Sequence, residues 1–529
     1  MPSNPSATTA AAVPASAGSS HAAARGPSLK IALTGGDGIG PEIMDATLEL
    51  FKAAGVMDAA APGRAAGIEF IPVEMGRSVF EKGNTKGMTD EAIRITEDCG
   101  LLFKGPMETP KGGGGKSINV TARKMWNAFA NLRHFRTLPG VQTVYSKAGI
   151  HIDMYIVREN IEDTYGGVEH RLSNDMIQCK RLISAPGCDL VSRFAFKIAR
   201  QMGIKKVHCG HKANIMKMTD GIFLDRFKVA AKDFTEIEAA DVIVDALCMN
   251  LVIKPQQYQM VVLPNLQGDI VSDLCAGLVG GLGFAPSANI GRHISIFEAV
   301  HGTAPDIAGK GIANPTALIL SGLMMLRHIG LLREAAIIEN AVLSALESGV
   351  RTGDFGDPAK PVLNTKDYTR GIIDRLGQKP TTITPVSVPE SNPAAPASAP
   401  VPRPQATQVI RTFTDVVRHV VGCDIYLDTP LSPSSVAEEM QRCCEDTPFK
   451  LTLISNRGTQ VWPTGSAYTE CVDYYRVRFE LREGSRPGDF GQSRCVALMD
   501  RIAEKFTVCS YELLRVFDGV KGYSLAQGQ

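Results

Sequence analysis

Strand-like and helix-like patterns alternate along most of the chain. Short apolar and β-branched runs ("GIEFIPVEM", "HIDMYIVREN", "KKVHCG", "MVVLPN") are separated by stretches where apolar residues recur every third or fourth position, such as "TARKMWNAFANL", "LVSRFAFKIARQMG" and Thr316 to Gly330. This alternation over residues 29–379 predicts an α/β architecture. The first such run, "LKIALTGGDGIGPEI", reads as a strand, a glycine turn and a helix started by Pro41 and Glu42. It departs from the Rossmann dinucleotide fingerprint. Gly36, Gly38 and Gly40 stand at every second position, and Pro41 takes the place of the last glycine.

The pattern breaks at both ends of this region. Residues 1–28 are mostly Ala, Ser, Thr and Pro, with one arginine, no acid and no apolar segment, so a disordered tail of a cytoplasmic protein is expected, with a mitochondrial leader as the alternative. Residues 380–408 hold 8 of the 31 prolines and predict an extended linker. Beyond them, residues 409–529 read β-α-β-β-α-β, which predicts a small α+β domain with helices layered on an antiparallel sheet. That module carries no clustered polar motif, so assembly or regulation is its expected role.

Composition narrows the function. A chain of 529 residues needs two or three domains. Its 56 basic and 55 acidic side chains nearly cancel, which argues against a nucleic-acid or membrane-surface protein held by a global field. No apolar run approaches the roughly 20 residues of a membrane span. The 12 cysteines lack CxxC spacing, so reduced, mostly buried thiols are expected rather than disulfides or zinc.

Three groups of residues carry candidate chemistry. In "NLQGDIVSDLCAGL" a helix starting after Gly268 would set Asp269 and Asp273 on one face, a donor pair suited to Mg²⁺ or Mn²⁺. Asp245, in the apolar run "ADVIVDAL", looks like an acid at a buried strand end and adds a third carboxylate. The second group is Ser117, Asn119, Arg123 and Arg133, with Arg158 following the apolar "DMYIV"; converging guanidiniums would hold a di- or tricarboxylate. Tyr165 and Lys212 are the proton-transfer candidates, the lysine being a potential base beside a cation. His151, His208 and His211 have no metal-ligand spacing and read as core or hydrogen-bonding residues.

The segments "GDGIGPEI", "SINVTAR", "ANLRHFR", "VRENIEDTYGGVEH", "HKANIMK", "NLQGDIVSDL", "GGLGFAPSANIG" and "IFEAVHGTAPDIAGKGIANPTA", in this order, closely resemble the isocitrate dehydrogenases of the β-decarboxylating dehydrogenase superfamily. The tail, with "FKLTLISNRGTQVWP", resembles the extra domain of their larger bacterial subtype. The resemblance implies a non-Rossmann two-domain fold, with a large domain at about 29–128 plus 281–379, a small domain at 129–280 and a clasp near 163–184. It implies a homodimer, oxidation and decarboxylation of isocitrate in the tricarboxylic acid cycle, and NAD with Mg²⁺ or Mn²⁺.

Carried over by position, Arg123, Arg133 and Arg158 hold the α- and β-carboxylates, and Ser117 and Asn119 the γ-carboxylate. Asp269 and Asp273 bind the metal with Asp245 of the partner subunit. The partner's Lys212 deprotonates C2–OH, and Tyr165 protonates C3. Glu298, His301, Gly302, Thr303, Ala304, Asp306, Ile307 and Asn314 form the coenzyme site. Similar enzymes that use NADP typically have Lys and Tyr at the positions of Asp306 and Ile307, so the carboxylate here implies NAD. The competing readings are homoisocitrate or 3-isopropylmalate dehydrogenation and a non-catalytic regulatory subunit.

Overall fold

A computed structural model describes residues 28–58, 67–108, 117–390, 392, 409–466, 468–485 and 491–524. The tail expected at 1–28, save Ser28, and the linker from 393 to 408 lie outside the described residues. The chain divides into two compact units, one from residues up to 165 with 182–409, the other from 166–181 with 410–529.

The first unit is organised by a ten-stranded mixed sheet. Its strands are β1 (Ser28–Thr34), β2 (Gly67–Pro72), β3 (Leu101–Lys104), β4 (Ala130–Arg136) and β5 (Asp153–Glu159). After a hairpin of the second unit, β6 (Glu169–Arg171) and β7 (Ile177–Cys179), come β8 (Lys206–His211), β9 (Glu238–Ile243), β10 (Met260–Leu263), β11 (Pro286–Ile290) and β12 (Ser295–Ala299). The order is β2-β1-β3-β12-β11-β4-β5-β10-β8-β9. Pairing is parallel except around the middle, where β11 runs antiparallel to both β12 and β4, and β4 to β5. β3, β10, β11 and β12 are buried at every position, which is why they read as short continuous runs rather than alternating ones.

Helix Gly40–Ala53 and helix Thr316–His328 pack on the sheet around Phe51, Phe103 and Phe297. Phe51 and Phe103 stack with ring centroids 6.2 Å apart, and full burial of each is worth about 1.5–3 kcal/mol. A separate core around Phe135, Met154, Leu247 and Leu263 lies under helices Val244–Ile253 and Asn265–Leu278.

Two expectations are corrected here. "TARKMWNAFANL" is not one helix: the helix ends at Met125, Asn127 adopts a left-handed φ of 47°, and Ala130 begins β4. The linker is also less free than its prolines suggest. Thr381 and Thr382 donate backbone N–H groups to Glu347, Val386 pairs with Asn340, and Asn392 reaches Glu334 and Arg333. Residues 381–390, with Asn392, thus lie along helix Leu332–Glu347. All twelve cysteines are free thiols.

The second unit holds an antiparallel sheet of β13 (Arg418–Asp428), β14 (Phe449–Asn456), β15 (Thr459–Trp462), β16 (Tyr474–Leu481), β17 (Thr507–Phe517) and β18 (Val520–Lys521), in the order β15-β14-β16-β13-β17-β18. Helices Pro433–Cys443 and Gln492–Ala503 cover one face through Val436, Met440, Cys495 and Leu498. Without β15 and β18 this is the ferredoxin-like β-α-β-β-α-β arrangement, a fold that by itself specifies no function. The β6–β7 hairpin is held to it by Ser173 on Asp473 at 2.6 Å and Lys180 on Glu512 at 2.7 Å.

Candidate active site

Charged side chains project from the middle of the first unit's sheet. Arg133 sits on β4 and Arg158 on β5, in strands whose other side chains are mostly buried. Arg158 is 1% exposed. Its Nε and Nη2 donate to Asn265 Oδ1 at 3.0 and 2.8 Å, and its Nη1 to Asp269. Arg133 donates to Ser272 Oγ at 2.6 Å and to Asp269 at 3.3 Å, with Asp273 3.5 Å away. Both acids lie on helix Asn265–Leu278, which starts one turn earlier than expected. Gly268 is therefore inside the helix, where a Cβ would lie 2.7 Å from Arg158 Cγ; glycine lets the helix cross the arginine's stem.

A second layer of charge lies beside the first. Glu298 on β12 accepts Arg123 Nη2 and Asn289 Nδ2, both at 2.8 Å, and pairs with Lys104 at the end of β3. Four cations thus face three carboxylates, an excess of positive charge in a buried site. Burial and the neighbouring Arg133 and Arg123 push Arg158 down to about 10, so it stays charged at neutral pH. Burial would raise Asp269 and Glu298, yet their arginine and lysine neighbours outweigh it and hold both below the usual carboxylate range. Asp273 is pushed up by burial.

Helix Ile118–Met125 brings the remaining substrate candidates. Ser117 is its N-cap, accepting from Val120 N at 3.5 Å, and Asn119 lies in its first turn. Asn119 Oδ1 and Arg123 Nε are buried with no hydrogen-bond partner among the described residues. Buried polar atoms without partners are costly, and the free donor among them, Arg123 Nε, lies in a site with spare positive charge, as a bound anion would require.

Tyr165 joins this group. Its ring lies 4.8 Å from the Arg158 guanidinium and its hydroxyl donates to Asp269 Oδ2. Burial and the Asp269 contact raise its pKa, which keeps the phenol protonated. Glu159, next to Arg158, is 3% exposed and, among the described residues, accepts only backbone donors, Ile161 N at 2.8 Å and Glu162 N at 3.0 Å. Burial pushes it up to about 7.

Lys212 and Asp245 pair with each other at 2.5 Å and not with the arginine cluster. Asp245 is not at a buried strand end: β9 stops at Ile243, and Asp245 stands in the first turn of helix Val244–Ile253 with its side chain 67% exposed. Beyond the run that suggested a core strand, Met249, Val252 and Ile253 are exposed on this helix, as are Leu266 and Ile270 on the next.

The loop His301–Pro315 is held mainly through its backbone. Ile39 N donates to Thr303 O at 2.9 Å, and Glu42 accepts Gly311 N and Ala313 N, each at 3.2 Å. Gly38 has φ +60°, and a Cβ on it would stand 2.1 Å from Thr303 O, so the glycine turn after β1 serves close packing under this loop. Ala304 turns the loop at φ 40°. His301 Nε2 is buried without a partner among the described residues, and Gly302 and Asp306 are exposed. Asp306 makes no ion pair or hydrogen bond among the described residues. Ile307 packs partly on the core, while Asn314 is engaged by Asp354 and Thr316. Glu298, the other residue assigned to the coenzyme, is the counter-ion of Lys104 and Arg123.

A family model described as isocitrate/isopropylmalate dehydrogenase matches residues 30–372, and one described as bacterial isocitrate dehydrogenase, C-terminal domain, matches residues 418–529. The chain belongs to the isocitrate/isopropylmalate dehydrogenase family. It is 42% identical over 498 residues to the "Isocitrate dehydrogenase [NADP]" of Thermus thermophilus, covering 93% of this chain and 95% of that protein. It is 43% identical over 351 residues to a mitochondrial regulatory subunit of the NAD isocitrate dehydrogenase of Dictyostelium discoideum, covering 66% of this chain and 93% of that protein. A solved structure from Thermus thermophilus matches with a TM-score of 0.81 at 40% identity over 94% of this chain and 96% of that one.

In this member of the family, Lys104 is the site residue that the sequence reading passed over. Its signal was a lone lysine closing the apolar "LLF" before Gly105 and Pro106. The histidines stay outside the site: His208 packs edge-on against Tyr258 at 4.8 Å and burial pushes it down to about 4, while His211 Nε2 meets Asp241 at 3.2 Å. No described helix is long and apolar enough to cross a membrane.

Proposed function

We propose that this chain oxidises isocitrate at C2 with NAD and releases CO₂, giving 2-oxoglutarate, in a site completed by a second copy. The observation that carries the substrate reading is the convergence of Arg123, Arg133 and Arg158 with Ser117 and Asn119 at a helix N-terminus. Guanidiniums bind carboxylates bidentately, and the helix N-terminus with its polar side chains suits a third. A branched alkyl group in that third position would leave Asn119 buried against carbon.

The donors suit a hard divalent cation: Asp269 and Asp273 are oxygen ligands one turn apart. By the resemblance, Asp245 of the partner subunit would supply a third carboxylate. The exposed helix face beside Asp245 supports that partner. When bound, the cation supplies Lewis-acid charge stabilisation and the nicotinamide accepts the hydride. The arginines orient the carboxylates, the partner's Lys212 takes the proton from the C2 hydroxyl, and Tyr165 delivers one to C3.

Asp306 supports NAD. An exposed carboxylate accepts hydrogen bonds from free ribose hydroxyls, whereas a phosphate dianion about 4 Å away would be repelled by roughly 2 kcal/mol in water, about 30-fold in binding. The names of the full-length relatives favour NADP as the second reading. Steady-state kinetics on isocitrate, homoisocitrate and 3-isopropylmalate, with NAD and NADP and Mg²⁺ or Mn²⁺, decide both points. We expect isocitrate with NAD to give the highest kcat/KM. Faster turnover of 3-isopropylmalate overturns the substrate, equal or better use of NADP overturns the coenzyme, and no turnover makes the chain a regulatory subunit.

A further inference from the structure

Tyr165 rides on a short turn, Thr164–Gly166, that has no core of its own. On its N-terminal side the turn is fixed by Asp163, which is fully buried at φ 68°. Asp163 accepts Thr164 N at 2.9 Å and Leu266 N at 3.1 Å, the latter from the helix that carries Asp269 and Asp273. On its C-terminal side the chain enters the β6–β7 hairpin, whose strands have three residues each, a ribbon too short to fix anything alone. Besides the phenol's own contacts with Asp269 and Arg158, the turn's backbone is anchored by Lys124, whose Nζ donates to the backbone carbonyl of Tyr165 at 2.6 Å.

Lys124 belongs to helix Ile118–Met125. That helix presents Ser117 and Asn119 at its start, Arg123 one residue before the lysine, and the buried, unpartnered atoms Asn119 Oδ1 and Arg123 Nε. The turn bearing the phenol is therefore strung between two helices, one with the paired aspartates and one with the carboxylate-binding residues. We propose that Lys124 is a positioning residue: through the Tyr165 carbonyl it ties the placement of the proton donor to the helix that recognises the substrate's third carboxylate. The inference rests on the reading of Tyr165 as the group that protonates C3. In that step the phenolic O–H breaks, the C3–H bond forms from the enolate's π pair, and the phenolate left beside Arg158 regains its proton from solvent. Lys124 touches neither substrate nor reacting atoms, so its loss should misplace the phenol while leaving the arginines in place.

The test uses the full-length enzyme with Lys124→Met, which keeps the stem and removes the donor, and Lys124→Arg, which keeps a donor. Three quantities are read: isocitrate binding by titration, kcat, and exchange of the C3 hydrogens of 2-oxoglutarate with deuterated solvent in the presence of Mg²⁺ and reduced coenzyme. A lost charged hydrogen bond predicts a fall of about 10- to 100-fold in C3 exchange and kcat for Lys124→Met, isocitrate binding within about threefold, and substantial recovery in Lys124→Arg. Wild-type exchange in a folded Lys124→Met enzyme overturns the proposal, as does a loss of isocitrate binding as large as the loss of exchange. Tyr165→Phe separates the two claims: if it exchanges C3 at the wild-type rate, the role of Tyr165 is wrong whatever Lys124 does.

Discussion

The arginine pocket and the loop proposed to hold the coenzyme are built in opposite ways. In the pocket, Arg133 and Arg158 are almost fully buried and both lean on Asp269, whose side chain is one-third exposed. The loop is held backbone to backbone, by Thr303 O and by Glu42 under Gly311 and Ala313, and its selective group, Asp306, stands in water. Burial sets what a charge can do: breaking a buried pair costs about 3–5 kcal/mol, whereas an exposed pair is worth about 0–1 kcal/mol.

The largest effect should come from the pocket. Arg158→Leu leaves Asn265 Oδ1 without its donors and removes from Asp269 its closest cation, leaving it Arg133 and Tyr165, and breaking a buried pair costs about 3–5 kcal/mol, so kcat/KM for isocitrate should fall by at least about 100-fold. Circular dichroism on the same sample checks that the fold survives. A loss below tenfold would erase the contrast with the loop.

Next comes the packing under the loop. Gly38→Ala forces a Cβ against Thr303 O in a left-handed conformation, a strain of about 1–3 kcal/mol. We expect KM for the coenzyme to rise by about 10- to 100-fold while isocitrate binding, measured by calorimetry, stays put. Equal weakening of both ligands would mean that loop and pocket are not separable.

The exposed acid should matter less. Asp306→Asn is expected to shift the NAD/NADP ratio of kcat/KM by about 30-fold toward NADP at low salt and by less at high salt, as screening requires. Asp306→Lys with Ile307→Tyr should go further. A salt-independent shift would place Asp306 in a drier setting than its exposure indicates.

The smallest effect on turnover concerns Glu159, a buried acid with backbone donors alone. Its pKa is about 7 in the folded chain against 4.5 when unfolded, so its stabilising contribution is complete below pH 4.5 and is lost as pH rises through 7. Glu159→Gln should flatten the decline in Tm between pH 5 and pH 7, followed by thermal melts at each pH. An unchanged profile would show that this carboxyl is ionised at its site.

What could be read beforehand follows the same division. An arginine after "DMYIV" and two acids one turn apart were legible because a charge in an apolar run needs a partner, and the α/β alternation was legible because strand and helix periods differ. The helix and strand within "TARKMWNAFANL" were not separable, since the break is a single left-handed residue, Asn127. Asp245 was misplaced because an apolar helix face left exposed looks, in sequence, like a core strand. The anchoring of Tyr165 by Lys124, 41 positions away, and the grip of Asp473 on Ser173 have no local signature at all.

Whether a second copy completes the pocket is decided by mixing two inactive variants. Tyr165→Phe and Lys212→Met are each expected to be nearly inactive as homodimers. After subunit exchange, half of the dimers are mixed and each carries one intact site, so activity should return to about a quarter of the wild-type value. A mixture no more active than its two parents, with mixed dimers verified by mass spectrometry, would mean that Tyr165 and Lys212 do not meet across the dimer.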